Sequence, residues 1–142
     1  MPRIITLLIL IAFIPLFASA GELVTVTKFH AQTEADVIPD FEWTQDGVTR
    51  SFYEVSDNKI VLVYFWGSWC GICTEGLAPL NELHSELDPA KFLIIGIDCE
   101  MTPEDRQLGQ DIIDEKGLEF LNFFEVFTDD TSGFYELFGE PQ

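Results

Sequence analysis

Two cysteines, Cys70 and Cys73, are separated by only two residues in the stretch 65–73 (FWGSWCGIC). Thiols at this spacing can form a structural disulfide, supply half of a metal site, or exchange electrons with another disulfide. In thiol–disulfide exchange, one thiolate attacks a disulfide sulfur, and a second thiol resolves the mixed disulfide that results. The pair therefore raises three alternatives: a redox pair, a metal site and a structural staple.

The residues around the pair predict a strand before it and a helix after it. Residues 59–66 (KIVLVYFW) form a nearly continuous β-branched and aromatic run, which is typical of a strand buried on both faces. Beyond the cysteines, four leucines recur at helical spacing: Leu77, Leu80, Leu83 and Leu87. Pro79 predicts a kink in that helix. We therefore expect the pair at the carboxyl end of a central strand and the amino end of a helix.

The rest of the chain predicts an α/β fold. Residues 39–55 alternate apolar and polar side chains around an Asp-Gly dipeptide, which is typical of a β-hairpin. Further strands are predicted over 91–98 and 123–129, and a short helix over 132–139. The helix between these strands has a cap, a first-turn proline and a C-terminal glycine: Thr102, Pro103 and Gly117. Strands that alternate with helices favour a mainly parallel central sheet flanked by helices.

Composition limits the classes of partner. The chain has 142 residues, enough for one domain with a core, and 47% of them are hydrophobic. Its formal net charge is −18, and the acidic residues are spread along the chain. This charge argues against binding to nucleic acid or to an anionic lipid surface.

The first twenty residues are typical of a secretory signal peptide, with Arg3, an apolar stretch and the small-residue ending ASA. The alternative is an uncleaved membrane anchor, although residues 4–20 fall slightly short of the ~20 residues that span a bilayer. Residues 21–36 are predicted to be a linker, and residues 37–142 the folded domain. Export, periplasmic or secreted, implies an oxidising compartment in which thiols have redox consequences.

The predicted position of the pair favours the redox alternative. A helix amino terminus stabilises a thiolate, so the pKa of Cys70 is expected to be lowered and Cys70 to be the exposed nucleophile. Cys73, about one turn later, would be the shielded resolving thiol. A zinc site needs two more ligands, and Cys99, His30 and His84 show no paired spacing. A staple across so short a loop would stabilise little. No metal or cofactor is therefore predicted.

In this context, residues 65–73 resemble the active site of the thioredoxin superfamily. Residues 38–70 are more specifically similar to exported disulfide reductases of the TlpA/ResA type (redoxin or AhpC/TSA-like), which often serve cytochrome c maturation. Residues 102–129 resemble the helix–strand insertion of that family. The resemblance implies a thioredoxin-like fold, a Cys70–Cys73 dithiol–disulfide cycle, protein thiol or disulfide substrates and a membrane electron donor. Direct membrane attachment is expected only if the amino-terminal segment is uncleaved.

Residues 135–141 (YELFGEP) resemble the family's stretch that ends in a cis-proline. Pro141 is the candidate cis-proline, and the backbone of Glu140 would then lie beside Cys70 and bind an extended substrate. Glu136 departs from the pattern, where glycine is usual. An ordinary trans turn proline is the alternative at Pro141.

The resemblance also implies supporting residues around the pair. Trp69 would shield the nucleophilic cysteine and contact substrate, while Gly71 and Ile72 lie between the two cysteines. Ile72 stands where the family commonly has proline, so the redox potential does not carry over. Gly76 replaces an acid that these reductases often have. Glu75 is either a substitute proton acceptor or a solvated acid in the first turn of the helix.

Three functions remain open on the sequence: an exported thiol–disulfide oxidoreductase, a thiol peroxidase, and a truncated or degenerate module that binds partners or has no catalytic role. The family normally adds two antiparallel strands and a closing helix after the cis-proline, and the chain ends at Gln142. Without them, the strand within residues 59–66 is expected to become an open apolar edge. Cys99 is either a third redox thiol or a small buried side chain.

Overall fold

The computed structural model describes residues 21–30, 38–126 and 133–134. These residues form seven strands, four α-helices and one 3-10 turn. In chain order they are β1 (Leu23–Val24), β2 (Val26–Phe29), β3 (Phe41–Gln45), β4 (Val48–Ser51), α1 (Phe52–Ser56), β5 (Ile60–Trp66), α2 (Gly71–Glu75), α3 (Leu77–Glu86), β6 (Phe92–Glu100), the 3-10 turn (Pro103–Asp105), α4 (Arg106–Lys116) and β7 (Leu121–Val126).

The main sheet is parallel and has the strand order β1-β7-β6-β5. The α2–α3 segment connects β5 to β6, and α4 connects β6 to β7. This arrangement confirms the predicted α/β fold with a parallel sheet flanked by helices. The parallel register brings the carboxyl ends of β5 and β6 to the same edge, with Trp66 opposite Asp98.

The predicted hairpin is also confirmed. Strands β3 and β4 pair antiparallel from Glu42–Ser51 to Gln45–Val48. Asp46 and Gly47 join them with φ angles of 52° and 75°, which is the left-handed geometry that a two-residue hairpin turn needs. Phe41 and Trp43 on β3 are buried against the main sheet, so the hairpin covers one of its faces.

The prediction of a linker over residues 21–36 is wrong for the part that the structure describes. Leu23 and Val24 in β1 pair with β7 and are buried, and β2 extends the hairpin sheet by pairing with β3. A strand of two residues has little intrinsic preference for its conformation. Its stability comes from pairing and burial against a sheet distant in sequence, which no local pattern shows.

Two expectations follow from the sequence for the strand within residues 59–66, a central strand buried on both faces and an open apolar edge, and the described residues agree with the edge. Within the described residues β5 pairs with β6 alone and lies at the edge of the sheet. Ile60 is 67% exposed, and Leu62 is also exposed. An apolar run therefore indicates a strand here, but burial of both its faces depends on neighbours that the run does not specify.

The helix after the cysteines is broken rather than merely kinked. Helix α2 ends at Glu75, Gly76 caps it, and α3 begins at Leu77. In a continuous helix the ring of Pro79 would clash with the carbonyl of Glu75, four residues earlier. The helix is interrupted directly after Glu75, which removes this clash. Of the predicted leucine stripe, Leu77 is buried and Leu83 is exposed.

Two apolar clusters lie on the two faces of the sheet. The hairpin cluster contains residues from β1, β3, α1, β6 and β7 together with Phe134: Val24, Phe41, Trp43, Phe52, Ile95, Ile97, Cys99, Phe123 and Phe134. The helix cluster lies beneath α3 and α4 and contains Leu23, Trp66, Leu77, Ile94, Ile113, Leu118 and Phe120. The buried strand β6 contributes to both clusters, which makes it the centre of the molecule.

Several predictions concern residues outside the described part of the chain. These are the signal peptide or anchor at 1–20, the end of the third predicted strand at 127–129, and most of the short helix at 132–139, together with Glu140 and Pro141. Across the residues that the structure does describe, we find no helix with both the length and the apolar character needed to cross a membrane.

Candidate redox site

The cysteine pair lies between the carboxyl end of β5 and helix α2. Cys70 immediately precedes α2, and Cys73 lies within it. The two side chains form a disulfide, with their Cα atoms 5.2 Å apart. The strand–pair–helix order predicted from the sequence is therefore present.

The backbone of Cys70 is suited to the start of a helix. Cys70 occupies the N-cap position with extended angles (φ −103°, ψ 90°), and its side chain makes no capping hydrogen bond. Its carbonyl accepts a hydrogen bond from the Thr74 amide at 3.0 Å, which closes the first turn. A thiolate at this position would face the amino end of the helix, where the partial charge is positive.

The two cysteines differ in packing more than in exposure, since both are partly buried. Cys73 packs against the helix cluster, whereas Cys70 is not among the described residues that pack against either cluster. Next to them, Trp69 and Ile72 are 55% and 81% exposed, and Gly71 is also exposed. The disulfide is thus flanked by accessible apolar side chains that another chain could contact.

Hydrogen bonds hold the loop before Cys70 to the end of β6. The Trp69 indole nitrogen donates to the backbone oxygen of Cys99 at 2.8 Å. Ser68 donates twice to the Glu100 carboxylate, from its amide at 2.7 Å and from its hydroxyl at 2.8 Å. These bonds fix the segment that carries the first cysteine relative to a buried strand.

A tyrosine on β5 reaches the second cysteine. The Tyr64 hydroxyl donates to the backbone oxygen of Cys73 at 3.0 Å. A Cβ on Gly76 would collide with that hydroxyl, so glycine permits the close approach of the α2–α3 junction to Tyr64. In the sequence, Tyr64 is distinguished only as one residue of an apolar run that predicts a strand.

Two buried acids beneath the site were also missed by sequence reasoning. Asp98 and Glu100 are 0% and 1% exposed, and their carboxyl groups lie close enough to interact. The pKa of Asp98 is raised to about 9, mainly because the carboxyl is buried and to a smaller extent because the Glu100 carboxyl is next to it. The positive charge of Arg106 opposes that rise. The available signal was two acids at alternate positions in the otherwise apolar run 92–100.

The other predicted site residues are distributed as follows. Glu75 is exposed and ends the short helix α2, so it does not lie in a first turn as one alternative had it. Cys99 is 2% exposed in the hairpin cluster, which agrees with the small buried side chain. It lies on the face of the sheet opposite to the helix cluster that Cys73 contacts.

The histidines considered as zinc ligands have other contacts. His30 hydrogen-bonds to the Glu42 carboxylate at 2.8 Å, and the His84 ring lies 6.1 Å from the Phe120 ring, centroid to centroid. Over the ranges that the structure covers, no group of three or more His, Cys, Asp or Glu side chains is arranged to hold a metal ion.

Comparison with known proteins places this site in a family. The chain matches the model of the AhpC/TSA family over residues 35–140. It is 34% identical over 92 residues to an uncharacterized protein of Haemophilus influenzae, covering 65% of this chain and 56% of that protein. It is 41% identical over 51 residues to a putative thioredoxin 2 of Streptomyces coelicolor, covering 35% and 36% of the two chains. The matches thus cover little more than half of these relatives at most.

Solved structures agree on the fold. The thioredoxin domain of a thiol-disulfide oxidoreductase from Bacteroides vulgatus superposes with a TM-score of 0.54 at 20% identity, covering 79% of this chain and 77% of that one. A putative thiol:disulfide interchange protein DsbE from Chlorobium tepidum gives 0.51 at 19% identity, covering 67% and 64%. With the matched family model and the strand–cysteine–helix order, these likenesses lead to one conclusion: the chain belongs to the AhpC/TSA family, within the thioredoxin superfamily of redoxins.

Proposed function

We propose that this protein is an exported thiol–disulfide oxidoreductase that reduces disulfides in other proteins. The observation that carries the proposal is the Cys70–Cys73 disulfide at the junction of β5 and α2, in a chain of the AhpC/TSA family. Exposed Trp69 and Ile72 beside it supply an apolar contact surface for a polypeptide substrate.

The proposed reaction transfers two electrons from the reduced Cys70–Cys73 pair to a substrate disulfide, so that the substrate ends as two thiols and the pair as a disulfide. The Cys70 thiolate attacks one sulfur of a substrate disulfide, and the other substrate sulfur leaves as a thiolate and takes up a proton. Cys73 then loses its proton and attacks the Cys70 sulfur, which releases the second substrate thiol and forms the Cys70–Cys73 disulfide. An external dithiol, proposed to be a membrane electron donor, reduces that disulfide and restores the cycle.

The remaining roles are part of the same proposal. Glu140 and Pro141, outside the described residues, would form the backbone wall that holds an extended substrate beside Cys70. Glu75 is available as a solvent-exposed proton acceptor near the end of α2. Residues 1–20 would direct export, and residues 37–142 together with the paired strands β1 and β2 would make up the domain.

The test is insulin reduction by the full-length protein with a small dithiol as electron source. We expect Cys70→Ser to abolish turnover, and Cys73→Ser to abolish turnover while trapping a mixed disulfide on Cys70. Cys99→Ala is the matched control, because it removes a buried thiol on the other face of the sheet, and it should retain turnover.

A wild-type protein that unfolds cooperatively but gives no turnover would contradict the enzyme and support the binding module. Rapid peroxide consumption that depends on Cys70, without insulin reduction, would instead support the peroxidase. Mass spectrometry of the exported protein tests the signal peptide. An intact amino terminus would show the anchor rather than cleavage after Ala20.

A further inference from the structure

The end of β6 carries a buried negative charge that holds the redox loop. Both oxygens of the Glu100 carboxylate accept hydrogen bonds from Ser68, at 2.7 and 2.8 Å, and Glu100 is 1% exposed. The ion pairs among the described residues involve Glu42 and Asp88, and no Lys, Arg or His nitrogen there lies within 4.0 Å of Glu100. Its charge is therefore balanced by neutral donors rather than by a cation.

This charge lies close to the first cysteine. Ser68 precedes Cys70 by two residues, which limits the separation of their Cα atoms to about 7 Å. The Cys70 amide donates to the Gly67 oxygen at 3.0 Å, so the chain between them is held in a tight turn. The Glu100 carboxylate is thus about 10 Å or less from Cys70, close enough for its charge to act on a thiolate there.

A negative charge in such a place disfavours a second one nearby. It raises the free energy of the Cys70 thiolate and leaves the disulfide, which is uncharged, unaffected. At a pH where Cys70 in the reduced pair is ionised, a less stable thiolate makes the pair give up electrons more readily, because the dithiol form is destabilised relative to the disulfide. The partial charge at the start of α2 acts in the opposite direction.

Building on the proposed redox function, we propose that Glu100 is a positioning residue for the Cys70–Cys73 pair. Through Ser68 it fixes the loop that carries Cys70, and through its charge it makes the dithiol a stronger reductant. The residue does not touch the sulfur atoms; it acts through Ser68 and through space.

The neighbouring Asp98 supplies a matched control. It lies two residues earlier on the same face of β6 and is equally buried. Its pKa of about 9 leaves it protonated and uncharged at neutral pH. Asp98→Asn therefore disturbs the same buried region as Glu100→Gln without removing a charge. Glu86→Gln at the exposed end of α3 controls for loss of a surface charge.

The experiment measures the equilibrium constant of the full-length protein with reduced and oxidised glutathione at pH 7, by trapping free thiols. Glu100→Gln should shift the equilibrium toward the dithiol by about 3- to 10-fold, or ~15–30 mV for a two-electron couple. Ser68→Ala should shift it the other way by about 2- to 3-fold, because the carboxylate loses a donor that offsets its charge. Asp98→Asn and Glu86→Gln should stay within about 1.5-fold of wild type.

The opposite signs separate this inference from a purely structural role. If Glu100 only holds the loop, then both Glu100→Gln and Ser68→Ala loosen it and shift the equilibrium in the same direction, which would overturn the proposal. A shift below about 2-fold for Glu100→Gln, where a nearby charge predicts more, would overturn it as well. If Glu100→Gln does not fold, Ser68→Ala must still shift toward the disulfide while Ser68→Thr, which keeps the hydroxyl, does not.

This measurement requires no protein substrate. Absence of insulin reduction would therefore count against the proposed function and leave the Glu100 result to stand or fall by itself. An unchanged equilibrium in Glu100→Gln with normal insulin reduction would remove the inference and keep the function.

Discussion

The Tyr64 hydroxyl donates a hydrogen bond to the backbone oxygen of Cys73 at 3.0 Å, which joins the edge strand β5 to the second cysteine. The same oxygen also accepts from the Gly76 amide at 3.2 Å. The disulfide is therefore supported from two sides: Tyr64 holds Cys73, and the end of β6 holds the loop before Cys70.

Tyr64→Phe should reduce the free energy of unfolding of the oxidised protein by about 0.5–1.5 kcal/mol, because a partly buried hydrogen bond is lost while the carbonyl keeps one partner. Denaturant unfolding measures this. Tyr53→Phe is the control, since the exposed Tyr53 hydroxyl donates to the Ile38 oxygen at 2.7 Å and water can replace it. A larger loss for Tyr53→Phe than for Tyr64→Phe would contradict this ranking.

Asp98 should make stability fall as the pH rises. Its pKa is raised from 3.8 to about 9. Protonated Asp98 therefore stabilises the folded protein fully below pH 3.8, the pKa of the group in the unfolded chain. This stabilisation is lost as the pH rises through about 9, the pKa in the folded protein. In Asp98→Asn this loss is absent, so the wild-type free energy of unfolding should decline more steeply, by up to ~1.4 kcal/mol per pH unit. Urea titrations of the disulfide form between about pH 7.5 and 8.5 test this.

A second buried acid provides the control for that window. Burial raises the pKa of Glu125 from 4.5 to about 7, against a hydrogen bond from the Phe134 amide that lowers it. The stabilisation that protonated Glu125 gives to the folded protein is therefore lost between pH 4.5 and about pH 7, which is below the pH range in which Asp98 is tested. Glu125→Gln should flatten the stability profile in the acidic range only. Equal slopes for wild type and Asp98→Asn above neutral pH would show that Asp98 is already ionised.

Gly109→Ala should destabilise the protein although alanine is the better helix former. A Cβ at Gly109 would collide with the Asp98 carboxyl and crowd the Leu23 side chain. We expect a net loss of about 1–3 kcal/mol, because overpacking outweighs the ~1 kcal/mol gain in helix propensity. Exposed Gln107→Ala in the same helix should change stability by less than about 0.5 kcal/mol.

A double-mutant cycle identifies the cause of that loss. In an Asp98→Ala background the space beneath α4 is larger, and Gly109→Ala should cost less than in wild type. An identical cost in both backgrounds would mean that the Asp98 carboxyl does not limit the packing of this helix.

Ile60→Lys should lower self-association and leave stability nearly unchanged. Ile60 is 67% exposed at the start of the edge strand, where an apolar side chain favours pairing with another chain and a lysine opposes it. Sedimentation velocity and thermal unfolding measure the two effects. Val61→Lys, one residue later, is the contrasting variant. Val61 packs against the hairpin cluster and its replacement should destabilise the fold.

Features that depend on short-range patterns could be predicted. The Asp46-Gly47 turn follows from the two residue types that most easily adopt positive φ angles. The 3-10 turn that leads into α4 and the end of α4 follow similarly from the capping box at Thr102 and the left-handed Gly117. The redox pair also belongs to this class, because a β-branched run, two cysteines and a leucine repeat are contiguous in the chain.

Features that depend on contacts between segments distant in the sequence could not be predicted from local patterns. β1 is two residues long and is a strand only because β7 lies beside it. The apolar run of β5 does not show whether the strand lies at the edge or at the centre of the sheet, and only the family resemblance led us to expect the edge position that β5 has within the described residues.

The sequence by itself determined the chemistry of this protein: two thiols at exchange spacing between a strand and a helix, in an acidic chain that begins with a signal-like segment. The tertiary structure alone decided what surrounds those thiols. Glu100 reaches Ser68 across 32 positions of sequence because β5 and β6 pair in parallel register and end at one edge. Whether an acid in an apolar strand is solvated or buried depends on that pairing and on the helix packed above it, and neither is a local property of the chain.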